Sequence, residues 1–322
     1  MKKKTLIIIA AIVVIAAIVI GVVATRKPAA DVDQPEATAT PEIVAENEEA
    51  EEPEAPVEEP ETAKATITIG VPNDTTNEAR ALLLLEANGI IKLADGAGIT
   101  ATIADIAENP LGIEFVEVEA AQLPNVLPDL DYAIINNNYA IDAGLNPVGD
   151  SLLVEGAFSA YSNIVAVKAG NEEAPETLAL VAALNSQAVA DYITATYDGA
   201  VISVVENPGD GFDPSVDYEA LAGTTITVAA SPTPHAQILA IAKDILAEKD
   251  ITLEIIEFTD YVQPNNVVDA GDVYANYFQH LPYLEDFNAQ NGTAVVSVAA
   301  IHVEPMALYG GKQDTLDALT VE

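Results

Sequence analysis

Residues 66–85 read TITIGVPNDTTNEARALLLL and join a strand pattern to a helix pattern through one turn. Residues 66–70 are rich in β-branched side chains, and Ala81, Leu84 and Leu85 fall at helical spacing within 77–86. A strand that leads directly into a helix is the unit of α/β domains with largely parallel sheets. The segment therefore predicts an α/β fold, with the turn at 71–76 following the carboxyl end of a strand.

The same alternation continues to the end of the chain. It predicts further strands at 112–118, 132–136, 163–167, 225–229, 252–258 and 293–298, and helices at 176–184 and 235–248.

The N-terminal part has a different character. An apolar run over residues 6–24 follows three lysines and is long enough to span a bilayer, so we expect a membrane anchor within 1–27 rather than a cleaved signal peptide. Residues 28–64 are nearly all Glu, Pro, Ala and Thr, which predicts a disordered acidic linker. The basic residues before the span predict that domain 65–322 lies outside the cell, tethered to the cell membrane.

Composition narrows the function. The chain has 12 Lys and Arg against 51 Asp and Glu, a formal charge of −39, which excludes a nucleic-acid partner and favours a monomer. It has no Cys, so disulfides, thiolate metal sites and a lipidated cysteine are excluded. Metal, P-loop and dinucleotide motifs are also missing, and the sequence predicts no cofactor. A Gly-x-Ser-x-Gly elbow and a His-x-x-x-His pattern are absent, which argues against an enzyme.

Two strand-to-helix turns are candidate ligand loops, at 71–80 and 230–236. Ligands of open α/β sheets gather at the carboxyl ends of strands, where helix N-termini offer free N–H groups. Arg80 is the only arginine beyond Arg26. Its guanidinium suits capture of a carboxylate ligand, and an internal salt bridge is an equally good interpretation.

Residues 71–85, 121–124, 132–140 and 258–283 resemble the NlpA family of methionine-binding lipoproteins. The specific segments are PNDTTNEAR and FQHLPY, and the resemblance covers residues 65–322. The order of the segments is reversed relative to the family: 225–319 resembles its beginning and 66–204 its end, with 206–223 as a new joining loop. The resemblance therefore implies a circular permutation, which folds tolerate where the original termini lie close together.

The resemblance also implies a type II periplasmic-binding-protein fold, with two α/β lobes, a hinge and a ligand cleft. The lobes would span about 65–158 plus a helix at 314–319, and about 163–310. The implied ligand is L-methionine or a close relative, delivered to an ABC permease and its ATPase. A tethered sensor, or a site for another amino acid or a methionine-containing dipeptide, is the alternative.

Eight residues match the family's ligand positions. By resemblance, Arg80 and Asn77 bind the ligand carboxylate, while Asn136 and Asn163 bind its amino and carboxylate groups. Of the triplet Asn136, Asn137 and Asn138, we expect only part to face the cleft, because a strand alternates its faces. Tyr139 is a secondary candidate. The side-chain pocket would be lined by Tyr261, Phe278, His280 and Tyr283.

Overall fold

The structure, a computed structural model, describes residues 66–156 and 161–320. The predicted membrane span at 6–24 and the acidic linker at 28–64 lie outside these ranges. Within them, no helix combines the length and apolarity needed to cross a bilayer.

The first sheet is built mainly from the N-terminal half of the described chain. Strand β1 pairs in parallel with β4 and with the central strand β5, while β13 runs antiparallel to β5 and β6. The small hairpin β2–β3 lies outside the sheet. In spatial order the strands are β4 (Glu114–Val118), β1 (Thr68–Pro72), β5 (Tyr132–Ile135), β13 (Ala307–Gly310) and β6 (Ser151–Val154); the hairpin is β2 (Lys92–Leu93) and β3 (Ile106–Glu108).

The second sheet has six strands. Strand β9 pairs in parallel with β10 and β11, and β7 runs antiparallel to both β11 and β12. Strand order is β10 (Thr252–Glu257), β9 (Thr225–Ala230), β11 (Ala275–His280), β7 (Ser162–Lys168), β12 (Val295–Val303) and β8 (Ile202–Ser203).

The described chain leaves the first sheet after β6 and re-enters it at β13, and the second sheet begins at β7 and is left after β12. We call the described residues 155–156, 161 and 304–306 the crossing segments. The strands that follow them, β7 and β13, are antiparallel to neighbouring strands. The expectation of largely parallel sheets is therefore wrong for β7 and β13. Each of these strands begins at the edge where the parallel strands of its sheet end, so it runs in the opposite direction to them.

Helices cover the sheets and follow the predicted apolar spacing. Helix α1 is capped by Asp74, whose carboxylate accepts from the Asn77 backbone N–H, and its buried face includes Leu82 and Leu85. In chain order the helices are α1 (Thr75–Ala87), α2 (Leu123–Val126), α3 (Asn137–Asp142), α4 (Pro175–Leu184), α5 (Gln187–Tyr197), α6 (Tyr218–Leu221), α7 (Gln237–Ala247), α8 (Gln263–Ala270) and α9 (Leu281–Asn291).

The lobe boundaries differ from the prediction at the C-terminal end. Strand β13 belongs to the first sheet, although the sequence assigned residues up to 310 to the second lobe. The predicted helix at 314–319 is only a 3-10 turn at Asp317–Leu319, which buries Leu319 in the core of the first sheet.

Candidate ligand-binding site

A narrow cavity lies between the two sheets, and all eight residues predicted from the resemblance line it. The cavity has a volume of about 30 Å³, which exceeds the roughly 10–15 Å³ that one water molecule requires. Polar and aromatic side chains from both sheets converge on this space. Its lining is Asn77, Arg80, Asn136, Asn137, Asn138, Asn163, His235, Tyr261, Phe278, Gln279, His280, Tyr283 and Glu304.

The elements that bring these residues together end or begin at the cavity. Helix α1 supplies Asn77 and Arg80, and Asn136 lies where β5 meets α3. His280 ends β11 and caps α9, where its Nδ1 accepts from the Tyr283 backbone N–H over 3.2 Å. The cavity therefore lies at strand carboxyl ends, as the two candidate turns predicted.

Arg80 is held by an internal ion pair. Its Nε lies 2.9 and 2.8 Å from the two carboxylate oxygens of Glu155, and Nη2 donates to the Glu304 backbone carbonyl over 2.6 Å. The guanidinium also lies over the Tyr161 ring, 4.7 Å from its centroid. The salt-bridge interpretation is thus confirmed, and both acceptors belong to crossing segments. Among the described groups, these bonds engage Nε and Nη2 and leave Nη1 for another acceptor.

The amide of Asn77 is engaged at both ends. Its Nδ2 donates to the two carboxylate oxygens of Asp74 over 2.9 and 3.1 Å, and its Oδ1 accepts from Asn136 Nδ2 over 2.9 Å. Burial raises the pKa of Asp74, and hydrogen bonds from Asn77 oppose that shift. Because Asn136 donates its amide nitrogen to Asn77, its Oδ1 is left buried without a hydrogen-bond partner among the described groups.

All three residues of the asparagine triplet line the cavity, so the expectation that strand alternation would turn some away is wrong. Strand β5 ends at Ile135, and Asn137 and Asn138 already belong to the first turn of α3. Asn137 donates to the Ala200 carbonyl over 2.6 Å, and Asn138 Oδ1 accepts from the Tyr261 hydroxyl over 2.6 Å. Among the described groups, Asn137 Oδ1 and Asn138 Nδ2 remain without a hydrogen-bond partner.

An aromatic wall forms the other side of the cavity. The ring centroid of Tyr261 lies 6.0 Å from those of Phe278 and Tyr283, and the Tyr283 hydroxyl donates to the Tyr261 carbonyl over 2.9 Å. Phe287 packs behind Tyr283, with centroids 6.1 Å apart. Tyr139 stacks on Tyr261 at 4.9 Å and supports the wall from outside the lining.

Histidine protonation is strongly disfavoured here. Burial, and secondarily the Arg80 charge, lowers the pKa of His280 to about 3. Since Nδ1 of His280 accepts from the Tyr283 N–H, the ring proton lies on Nε2, which faces Asn77 Oδ1 at 3.4 Å. His280 is therefore a neutral side chain in the cavity lining at physiological pH.

Sequence reasoning missed Glu304, Gln279 and the role of His235. His235, His302 and Glu304 form a buried cluster whose ligand-type atoms lie within 4.8 Å of one another, a set that can hold a metal ion. In this structure the groups bond directly, with His302 Nε2 2.6 Å from Glu304 Oε1. No sequence spacing signals this cluster except the position of His235 in the candidate turn after β9.

The fold and the site define an α/β protein with a polar and aromatic cavity between two sheets. The model of the NlpA lipoprotein family matches residues 58–205 and 226–321, which is more than half of the chain. The chain belongs to the NlpA lipoprotein family, as the sequence resemblance predicted. Two curated relatives are named D-methionine-binding lipoprotein MetQ, which agrees with the expectation of a substrate-binding protein.

Similar proteins include the membrane lipoprotein TpN32 of Treponema pallidum, 44% identical over 43% of this chain and 52% of that protein. The D-methionine-binding lipoprotein MetQ of Escherichia coli is 39% identical over 42% of this chain and 50% of that protein. The chain spans about half the length of these curated relatives. Among solved structures, a methionine-bound nutrient binding protein from Burkholderia cenocepacia is 46% identical, with 41% and 56% of the chains covered and a TM-score of 0.40.

Proposed function

We propose that this chain is the extracytoplasmic substrate-binding protein of an ABC importer and that it binds L-methionine or a close relative in the cavity. The observation that carries the proposal is a set of buried amide atoms without partners among the described groups, facing a space walled by aromatic rings. Buried polar atoms are nearly always hydrogen-bonded in folded proteins, so such a set marks a place for a polar ligand.

The polarity of the lining suits a zwitterion. Asn136 Oδ1 and Asn137 Oδ1 are acceptors for an ammonium group, because the nitrogen of each amide is engaged elsewhere. Asn138 Nδ2 and Arg80 Nη1 are donors for a carboxylate. In this arrangement Asn77 supports Asn136 and does not contact the carboxylate, which revises the role implied by the resemblance.

The aromatic wall suits a thioether side chain. A sulfur atom near an aromatic ring gains about 0.3–1.5 kcal/mol, and Tyr261, Phe278 and Tyr283 present ring surfaces to the cavity. The names of the relatives support the same ligand class, since one is a D-methionine-binding lipoprotein and one structure contains methionine. We infer that the chain binds the same class of ligand.

Arg80 would couple ligand binding to lobe closure. It bonds Glu155 in one crossing segment and the Glu304 carbonyl in the other, so a carboxylate at Nη1 would connect the ligand to both connections between the sheets. Closure of two lobes around a ligand is the usual signal that such a protein gives to its permease. The membrane tether at 6–24 and the linker remain part of this proposal.

We also propose that the two halves are circularly permuted. The family match falls into two blocks separated by 206–225, and each curated relative aligns over only about half its length. An alignment that keeps chain order can include only one of two exchanged blocks. The proposed joining loop contacts the second-sheet core through Phe212, and Lys249 Nζ lies 4.6 Å from the centroid of that ring.

A thermal-shift panel of amino acids tests the ligand class. The full-length protein is unfolded and refolded to remove carried-over ligand, then heated with L-methionine, D-methionine, glycyl-methionine or leucine. A ligand that binds only the folded state raises the melting temperature. We expect the largest rise with L-methionine and a much smaller one with leucine; a folded protein that responds to none of the four contradicts the proposal.

A further inference from the structure

A line of buried side chains lies behind Asn163, outside the set that the resemblance predicted. His235 Nε2 is 2.9 Å from Asn163 Oδ1 and 3.2 Å from Glu304 Oε1. His302 Nε2 is 2.6 Å from the same carboxylate oxygen, and its Nδ1 is hydrogen-bonded to the Tyr277 hydroxyl. All of these side chains are buried. The line runs from the interior of the second sheet to the wall of the cavity.

The distances set the direction of the hydrogen bond to Asn163. His235 Nε2 lies between two oxygens, Asn163 Oδ1 at 2.9 Å and Glu304 Oε1 at 3.2 Å. An amide oxygen only accepts, so Nε2 carries the ring proton and donates to the nearer oxygen, that of Asn163. Burial lowers the pKa of both histidines to about 3, so each carries one ring proton.

The unpartnered nitrogen of His235 agrees with this direction. Its Nδ1 is buried without a hydrogen-bond partner among the described groups. With the proton on Nε2, Nδ1 is a bare acceptor, and proteins leave a buried acceptor unpaired more readily than a buried N–H. A proton on Nδ1 would instead place the Nε2 lone pair against the oxygens of Asn163 and Glu304.

We propose that His235, backed by Glu304, His302 and Tyr277, is a positioning residue that orients the Asn163 amide, so that its NH₂ group donates to the ligand carboxylate. The inference rests on the proposed function. Because Nε2–H of His235 donates to Asn163, the amide end that it faces is the oxygen, and the amide nitrogen is the end left for the cavity.

A second hydrogen-bonded chain also begins at a carboxyl group, but it leaves an amide oxygen free instead of an amide nitrogen. Asp74 accepts from Asn77 Nδ2, Asn77 Oδ1 accepts from Asn136 Nδ2, and Asn136 is left with its oxygen free. A carboxyl group thus starts each chain, half-buried at Asp74 and buried at Glu304. The chain through two amides ends in an acceptor, and the chain through His235 ends in a donor. The two chains give the cavity the polarity of an amino-acid zwitterion.

The test compares ligands with and without a carboxylate. Binding of L-methionine and L-methioninamide is measured with the full-length wild type, His235→Leu and His235→Gln. Loss of the donor should reduce the preference for L-methionine over the amide by at least about tenfold in His235→Leu. His235→Gln, whose amide nitrogen can replace Nε2–H, should restore the preference to within about threefold.

A merely structural role for His235 would weaken both ligands equally and keep their ratio, and that result overturns the inference. If wild type binds L-methionine but the ratio survives in His235→Leu, only the inference fails; if wild type does not bind L-methionine, the proposed function and the inference fail together. If His235→Leu does not fold, the ¹⁵N NMR spectrum of the wild-type imidazoles still reports the tautomer of His235. An Nε2–H tautomer of His235 is expected, and an Nδ1–H tautomer overturns the proposal.

Discussion

The buried ion pair of Arg80 and Glu155 allows the structural and ligand-binding roles of Arg80 to be separated. The two side chains are only 6% and 8% exposed. Removing one member of such a pair leaves the other charge buried without its partner, which costs about 3–5 kcal/mol. We therefore expect Arg80→Met and Glu155→Met each to lower the free energy of unfolding by about 3–5 kcal/mol, measured by urea denaturation.

The double variant Arg80→Met/Glu155→Met should be more stable than either single variant. Replacing both charges of a buried pair by apolar side chains of similar size is often nearly neutral. Two backbone groups lose a partner: the Met306 N–H, which donates to Glu155 over 3.1 Å, and the Glu304 carbonyl, which accepts from Arg80 over 2.6 Å. The carbonyl is the smaller loss, because buried carbonyls are left unpaired more readily than buried N–H groups. The unpaired N–H costs about 1–3 kcal/mol, so we expect the double variant to lie about that far below wild type.

Ligand affinity should not recover with stability. Without the guanidinium, the ligand carboxylate loses a charged hydrogen bond of about 1.5–3 kcal/mol, which corresponds to about 10- to 150-fold in the dissociation constant. Calorimetric titration of the double variant with L-methionine measures this loss. A double variant no more stable than the single variants refutes the pairing argument, and wild-type affinity in the double variant refutes Arg80 as a carboxylate ligand.

Three further predictions concern the other walls of the cavity. Phe278→Leu should weaken the binding of L-methionine about 2- to 10-fold more than the binding of norleucine, which lacks the sulfur. Phe287 lies behind the aromatic wall, so Phe287→Leu should leave the ratio of the two affinities unchanged. Asn136→Leu should weaken L-methionine by about tenfold and 4-methylthiobutanoate, which has no ammonium group, much less; equal losses would contradict the assigned acceptor. Because the pKa of His280 falls to about 3 on folding, unfolding takes up a proton below pH 6.5, and stability falls as pH falls. His280→Gln should therefore reduce the slope of unfolding free energy against pH by about 1.4 kcal/mol per unit between about pH 6 and 4, and an unchanged slope would count against a neutral buried imidazole.

Much of the α/β architecture could be predicted from local patterns. The predicted strands at 132–136 and 225–229 correspond to Tyr132–Ile135 and Thr225–Ala230, because β-branched runs identify strands directly. Strand Ala275–His280 was not predicted, since its ANYFQH sequence mixes polar and aromatic residues that are buried on both faces. Its polar side chains bond to each other and to helix α8: Gln279 Nε2 donates to Asn276 Oδ1 over 2.9 Å, and Asn265 Nδ2 of the helix donates to Gln279 Oε1 over 2.8 Å.

The sequence predicted residues that line the cavity, but it did not predict the contacts that hold those residues in place. Asn77 and Arg80 occupy a recognisable strand-to-helix turn. The Glu304 carbonyl, which holds Arg80, lies 224 residues away along the chain, and its position depends on two passages between the sheets. The contact between the histidines also depends on tertiary packing, because His235 and His302 lie in different elements that are far apart in the sequence. Sequence patterns report neighbours along a helix or strand, whereas these contacts arise only from packing.

The most direct test of the central claim is isothermal titration calorimetry of the refolded full-length protein with L-methionine, with leucine as the comparison. Binding in the cavity predicts a single site with a dissociation constant in the micromolar range or tighter, and much weaker binding of leucine. No heat of binding from a protein shown to be folded would contradict the assignment of this cavity to an amino-acid ligand.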